Sequence, residues 1–245
     1  MRHRNIGFLG LLFVTLSLVV IPPATAAELH KDVSSIKNDN YSSIFKEWSI
    51  LANQGLAEAQ IQLGIMHHSG TGVPQNYSKA ANWFRKAAEQ GDAQGQYNLG
   101  VYYYEGQVVP QDYSQVANWY RKAAEQGHVN AQYNLGGLYS SGQGVPQDYS
   151  QAANWYRKAA EQGDAKAQYK LWSYYYIGRG VPQDYIAAHK WFNLAASQGI
   201  TDAIKNRSLI SKKMTPKQIS EAQTAAREWS AKPINIIGVQ VSPTR

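Results

Sequence analysis

Residues able to do acid–base, nucleophilic or metal chemistry occur in the sequence, but their spacing does not predict a reactive site. His67 and His68 are adjacent, so on a helix they would point to different faces, and His128 and His189 lie far from them. The histidines lack the His-x-x-x-His spacing of a zinc site. The sequence contains no cysteine, which excludes a thiolate nucleophile and a disulfide framework. No motif pairs a nucleophile with a base. We therefore predict that the chain is not an enzyme and has no catalytic residue, metal or cofactor.

Glycine-rich loops are the second candidate for chemistry, as phosphate-binding loops. They are Gly70-Thr71-Gly72, Gly142-Gln143-Gly144 and Gly178-Arg179-Gly180. A phosphate-binding loop follows a strand and carries Gly-Lys-Ser or Gly-Lys-Thr before a helix. These loops follow predicted helices and lack that string, so we predict that they are turns.

The loops belong to a unit that recurs through most of the chain. Its prolines are Pro74, Pro110, Pro146 and Pro182, and its tryptophans are Trp83, Trp119, Trp155 and Trp191. Both series have a spacing of 36 residues. A period between about 20 and 50 residues is typical of solenoids, in which each unit buries its apolar face against its neighbours. We predict an all-α fold, an α/α superhelical solenoid of antiparallel helix pairs.

Each unit is predicted to contain two helices. The first helices are predicted at 57–69, 93–105, 129–141 and 165–177, and the second helices at 77–90, 113–126, 149–162 and 185–198. In the second helix of the first unit, the apolar residues stand at i, i+3, i+4, i+7 and i+8, which is one stripe of an α-helix. These residues are Ala80, Trp83, Phe84, Ala87 and Ala88.

Polar caps and glycines predict where the second helices begin and end. An N-cap side chain accepts hydrogen bonds from first-turn amides, and Asn76, Asp112, Asp148 and Asp184 are predicted to do so. A glycine in the left-handed conformation commonly follows a helix, and Gly91, Gly127, Gly163 and Gly199 are placed for this. Glycine inside a helix costs about 1 kcal/mol relative to alanine, so Gly64, Gly100 and Gly136 in the first helices predict close helix contact. Trp172 replaces this glycine in the fourth unit, which predicts a change of packing there.

The segments outside the repeats complete the predicted domain organisation. Residues 1–26 have a basic start, an apolar run and an Ala-Thr-Ala site, which predict a secretory signal peptide of a bacterial protein that is periplasmic or secreted. We also predict a flexible leader at 27–40, an N-terminal capping half repeat at 41–56, four repeats at 57–200, C-terminal capping helices at 201–230 and a flexible tail at 231–245. The net charge of +7 is modest, and we predict neither nucleic-acid binding nor stable membrane insertion. The recurring Lys and Arg residues are interpreted as a solvated helix face.

Three strings in each unit carry a resemblance to a known family. They are Ala-x-x-x-Leu-Gly, then Tyr-x-x-Gly-x-Gly-Val-Pro-x-Asp-Tyr, then Ala-x-x-Trp-x-x-Lys-Ala-Ala-x-x-Gly. Over about 41–200 the chain resembles the Sel1-like repeat (SLR) family, a branch of the tetratricopeptide-like helical repeat proteins. Departures from the pattern include Val108, which replaces a loop glycine, Trp172, which replaces a helix glycine, and His67, which replaces a tyrosine.

The resemblance implies a binding surface on the first helices, since in related solenoids one face of these helices lines a concave groove that binds peptides. The residues predicted to bind a partner on this concave face are Tyr97, Asn98, Tyr104, Tyr133, Asn134, Lys166, Tyr169, Lys170 and Tyr176. Tyrosine offers apolar area with a polar tip, asparagine can hydrogen-bond an extended backbone, and lysine can bind a carboxylate. Tyr97, Tyr133 and Tyr169 recur in register, so packing explains these three equally well.

The function predicted on these grounds is that of an exported, monomeric scaffold that binds a protein or peptide partner. Two alternatives rest on the resemblance. Some cysteine-rich secreted members of the family are described as β-lactam-binding or β-lactam-hydrolysing, although their cysteine pairs are absent from this sequence. Other members resemble immunity or inhibitor proteins for an envelope-acting toxin.

Overall fold

The structure, a computed structural model, describes residues 38–230, 235–236 and 239–240. The helices in these ranges are α1 (Asn38–Asn53), α2 (Ala57–Ser69), α3 (Tyr77–Glu89), α4 (Ala93–Glu105), α5 (Tyr113–Glu125), α6 (Val129–Ser141), α7 (Tyr149–Glu161), α8 (Ala165–Ile177), α9 (Tyr185–Ser197), α10 (Thr201–Ser211) and α11 (Pro216–Ser230). They are followed by a short antiparallel pair of strands, β1 (Asn235–Ile236) and β2 (Val239–Gln240), in which Asn235 lies opposite Gln240. The predicted signal peptide at 1–26 lies outside the described residues.

The predicted solenoid of helix pairs is confirmed. Each helix from α1 to α9 packs against the next, and α11 folds back onto α9. The first helices have the predicted bounds, and the second helices end one residue earlier than predicted. In the part of the chain that the structure describes, no helix combines the length and the apolar character needed to cross a bilayer.

Capping hydrogen bonds explain why the helices begin where they do. The Asn76 side chain accepts from the backbone N–H of Lys79 at 2.9 Å, and Asp148 accepts from that of Gln151 at 3.0 Å. Gly163, after the end of α7, has a φ of 96°, which glycine tolerates and other residues rarely adopt. The predicted caps at both ends of the second helices are therefore confirmed.

The core follows the alanine and leucine positions of the repeat. Leu99, Leu135 and Leu171 on the first helices are each fully buried. The glycines beside them allow close helix contact, since a Cβ added to Gly136 would lie 2.9 Å from Cδ1 of Tyr156. In the fourth unit Trp172 fills this position and its ring meets Phe192 edge-on, with centroids 5.9 Å apart. The close contact that the glycines predict and the change of packing that Trp172 predicts are both confirmed.

A series of glutamines, half of them buried and half exposed, joins successive units. The Gln132 side chain donates to the carbonyl of Ala124 at 3.0 Å, and its own oxygen accepts from Nε2 of Gln162 at 2.7 Å. Nε2 of Gln162 also donates to the carbonyl of Gly127 at 3.0 Å. We call this series the glutamine ladder; its members are Gln60, Gln96, Gln132 and Gln168 with Gln90, Gln126, Gln162 and Gln198. The ladder satisfies carbonyls at the ends of the second helices that have no partner within the helix.

The recurring basic residues divide into two kinds. The lysines are exposed, and each lies over the tryptophan three residues before it, as Lys158 does with Nζ 4.0 Å from the Trp155 centroid. The arginines are half-buried instead: Arg121 donates to the hydroxyl of Tyr139, and Arg157 to that of Tyr175, both at 3.0 Å. The prediction of a solvated face is confirmed for the lysines and wrong for Arg121 and Arg157, because each of these pairs with a tyrosine of the adjacent helix.

Candidate functional site

One groove on the first-helix side of the solenoid gathers polar and aromatic side chains. It has a volume of about 540 Å³. Its lining residues are Val101 and Tyr104 from α4, Tyr120 from α5, Tyr133, Asn134, Gly137, Leu138, Ser140 and Ser141 from α6, Gln143 from the following loop, Tyr156 from α7 and Lys170 from α8. We call this the central groove. Three consecutive first helices thus contribute to one surface.

Glycines of the repeat position the aromatic wall of the central groove. A Cβ at Gly100 would lie 2.7 Å from the Tyr120 ring, so only glycine leaves room for that ring. Tyr133 and Tyr156 contact each other with centroids 5.6 Å apart. Tyr156 is 3% exposed as a residue, but part of it still borders the groove. The helix glycines therefore bring rings of the second helices to the first-helix surface.

Burial keeps the tyrosine hydroxyls of the wall protonated. It raises the pKa of Tyr120, and a hydrogen bond with Asn134 opposes this rise only in part. Burial and the neighbouring Tyr174 and Tyr133 raise the pKa of Tyr156 in the same direction. These phenols are therefore neutral near pH 7 and can donate or accept a hydrogen bond.

The floor of the groove supplies polar groups, and its edge supplies one charge. The Tyr174 hydroxyl donates to Oγ of Ser140 at 2.8 Å, which fixes the serine between α6 and α8. Asn134 offers an amide beside the aromatic wall. Lys170 is exposed, and among the described residues that line the groove it alone carries a formal charge. This set can bind an extended polar chain and a carboxylate.

The structure brings four of the predicted site residues together and leaves five outside. Tyr104, which is 47% exposed, Tyr133, Asn134 and Lys170 line the central groove. The other five are outside its lining: Asn98 accepts a hydrogen bond from Gln94, Lys166 is exposed, Tyr97 stacks on His128 with centroids 4.5 Å apart, and Tyr169 and Tyr176 contact Trp172.

Sequence reasoning missed the contributions of the second helices and the loop. Tyr120 and Tyr156 hold the position of Phe84 in the predicted apolar stripe, and Gln143 lies in a loop predicted to be a turn. The signal that could have found the two tyrosines is the glycine facing each of them, since Gly100 and Gly136 leave the ring without a Cβ to cover it. For Gln143 the sequence carries no such signal.

Two of the histidines, His68 and His128, have structural partners. Nδ1 of His128 accepts from the backbone N–H of Ala131 at 3.2 Å, so this histidine is the N-cap of α6. Nδ1 of His68 lies 2.8 Å from the Tyr102 hydroxyl. Within the described residues, no group of three or more histidines and acids is arranged to hold a metal ion.

Comparison with known proteins gives matches along the repeats. The family model of the Sel1 repeat matches residues 57–92, 93–128, 129–164 and 165–200. A Sel1 repeat protein from Oxalobacter formigenes is 33% identical, with 77% of this chain and 79% of that chain covered and a TM-score of 0.65. A protective antigen of uropathogenic Escherichia coli with an SLR fold is 32% identical, with 81% and 52% covered and a TM-score of 0.48. An immunity protein from Pseudomonas aeruginosa, 21% identical with 85% and 80% covered and a TM-score of 0.50, is similar in fold alone. No curated protein matches the sequence.

Proposed function

Because the chain belongs to the Sel1 repeat family, we propose that it is a non-catalytic scaffold that binds an extended segment of another protein in the central groove. The observation that carries this proposal is the lining of the groove, which combines four tyrosine rings with two side-chain amides, two serine hydroxyls and one lysine. None of the described lining residues is an acid, a histidine or a cysteine, which favours binding over acid–base or nucleophilic chemistry.

The chemistry of the groove fits a peptide better than a compact apolar ligand. Its volume of about 540 Å³ lies within the range of ligand sites, about 300–1,000 Å³. An extended backbone presents N–H and C=O groups that Asn134 and Gln143 can pair, while Tyr104 and Tyr133 supply area for side chains. Lys170 would bind an acidic side chain or a carboxyl end. We therefore expect the partner segment to carry a negative charge.

The groove proposal predicts that a small set of side chains governs partner binding. We expect the variant Tyr104→Ala, Asn134→Ala, Lys170→Ala to bind the partner at least about 100-fold more weakly, since loss of several anchors of about 1–2 kcal/mol each multiplies. The measurement is crosslinking and affinity capture from envelope extract, followed by titration of the captured partner against the purified chains.

A matched variant with the same three residue types changed elsewhere is the control for the groove experiment. Tyr77→Ala, Asn154→Ala, Lys217→Ala alters exposed side chains outside the groove and should bind like the parent. Equal binding by both triple variants, at equal helicity, would place the partner on another surface and overturn the proposal.

We also propose that the chain is exported to the periplasm or secreted, as residues 1–26 suggest. A signal peptidase would cut after Ala26 and leave Ala27 as the first residue. The mass of the protein purified from the envelope fraction checks this, because removal of 26 residues lowers the mass by a defined amount. An intact chain found only in the cytoplasm would contradict export.

A further inference from the structure

A second cavity lies at the N-terminal end of the solenoid, between α1, α2 and α3. Its volume is about 350 Å³, at the small end of the range for small-molecule sites, about 300–1,000 Å³. Phe45, Leu63 and Trp83 form its apolar side. Its size suits a ligand of amino-acid dimensions rather than a length of extended chain.

The cavity arises where two residues depart from the repeat. Ser49 and His67 occupy the positions that Arg121 and Tyr139 occupy two units later. There the arginine donates to the tyrosine hydroxyl at 3.0 Å, and the pair fills the space between the helices. Serine and histidine are shorter, and both line the open cavity.

His67 lines this cavity and carries a ring nitrogen without a hydrogen-bond partner among the described residues. The residue is only 6% exposed, and its Nδ1 has no hydrogen-bond partner among the described residues. Burial lowers the pKa of His67, the charge of Lys79 lowers it further, and a hydrogen bond to the backbone of Pro74 opposes both. Proline has no N–H, so the ring donates to Pro74 and Nδ1 remains an acceptor. Nδ1 has less than 1 Å² of accessible surface, so a ligand N–H reaches it only when the ring turns toward the cavity. A buried acceptor without a donor is unfavourable, and a ligand N–H would favour that turn.

The charge of the cavity is positive. Lys79 and Lys86 both line it, and none of its described lining residues is an acid. Lys79 stands at the position that Gln151 holds two units later. Asn53 stands at a position that holds glutamate in the later units, as Glu125 and Glu161. These two replacements each add one positive charge, and serine in place of arginine at position 49 removes one, so the site is more positive than its counterparts by one charge. A carboxylate would be bound by the two ammonium groups.

From these three features we propose that the cavity binds a small carboxylate with a neighbouring N–H and an apolar side chain, the pattern of an N-acylated amino acid. The carboxylate lies between Lys79 and Lys86. The N–H donates to Nδ1 of His67, and the side chain packs against Phe45 and Trp83. The site is separate from the central groove and shares no lining residue with it.

Calorimetry on the purified full chain with N-acetylphenylalanine tests the ligand chemistry. We expect saturable binding of this acid. The amide of the same compound, which lacks the charge, should bind at least about tenfold more weakly, and 3-phenylpropionate, which lacks the N–H, about three- to tenfold more weakly. A tetrapeptide ending in phenylalanine distinguishes two sources of the ligand. Binding as tight as that of N-acetylphenylalanine indicates the carboxyl end of a peptide chain, and no binding indicates a free small molecule. Absence of binding by the acid at about 1 mM, or equal binding of all three small compounds, overturns the proposal.

Variants that restore the repeat test the location. Ser49→Arg with His67→Tyr recreates the pair of the later units, so it should fold with at least the parent's Tm and lose binding. Lys79→Gln restores the glutamine and is expected to weaken binding about tenfold; it is decisive if the double variant fails to fold. Lys46→Gln, an exposed lysine of α1 outside the cavity, should leave affinity unchanged. Binding that survives Lys79→Gln at full strength contradicts the site.

Discussion

Replacing Gly144 with alanine is expected to lower the free energy of unfolding by about 2–5 kcal/mol. The residue has a φ of +70°, where a Cβ costs about 1–2 kcal/mol. That Cβ would also overlap the backbone carbonyl of Tyr113 in the preceding unit and lie 2.8 Å from N of Ser114. Backbone cannot move aside as a flexible side chain does, so overpacking of about 1–3 kcal/mol adds to the strain. Urea unfolding followed by circular dichroism measures the loss.

Gly163 separates the two causes of this loss. Its φ is +96°, yet a Cβ there would meet nothing within 4 Å. Gly163→Ala should therefore show only the conformational cost, about 1–2 kcal/mol. If Gly144→Ala and Gly163→Ala lower the free energy of unfolding equally, the close approach of the Gly144 loop to the preceding unit adds nothing to the cost of the substitution.

Truncation of Trp155 to alanine is expected to cost about 3–5 kcal/mol. The side chain is 7% exposed and packs with Val116, Tyr120 and Leu135, so it joins its own unit to the preceding one. In a solenoid each unit is stabilised only by its neighbours, and loss of a central contact weakens the coupling of the two halves. We expect a less cooperative transition, seen as different midpoints for tryptophan fluorescence and circular dichroism.

Trp83→Ala is the matched comparison for Trp155. Trp83 holds the same repeat position, has the same lysine over its ring at 4.2 Å, and is only half-buried beside the N-terminal cavity. Both variants lose the contact between the lysine and the ring, so the difference between their free energies of unfolding reports the burial of the tryptophan side chain. A loss for Trp83→Ala as large as that for Trp155→Ala would contradict the assignment of the effect to the core.

The helices could be predicted from the sequence because their ends are set locally. Asp148 accepts from the N–H groups of its own first turn, and Gly163 supplies the left-handed residue after α7, so neither depends on distant parts of the chain. Val108, which holds the repeat position of Gly144 in the preceding unit, shows the same local control of backbone conformation. In the described residues every residue with a positive φ is glycine, so the loop around Val108 has a conformation unlike that around Gly144.

The site was only half predictable because its other half depends on contacts between helices. Tyr104 and Asn134 lie on the open face of the first helices, which periodicity identifies. Tyr120 is 4% exposed and follows the core stripe, and only the packed structure reveals the part of it that borders the groove. The N-terminal cavity is a similar case. His67 is visible as a departure from the repeat, but its link with the second departure, Ser49, becomes evident only from the hydrogen bond between their counterparts Tyr139 and Arg121.

The glutamine ladder has a consequence for how such a gene can change length. Its hydrogen bonds join residues 8, 30 or 35 positions apart, so none reaches beyond an adjacent unit. Recombination that deleted residues 129–164 would place Gln168 opposite Ala124 in place of Ala160, and the same donor would meet the same kind of carbonyl. An unequal crossover that adds or removes one 36-residue unit therefore yields a chain whose new junction is already paired, and arrays of different length can arise in single genetic steps.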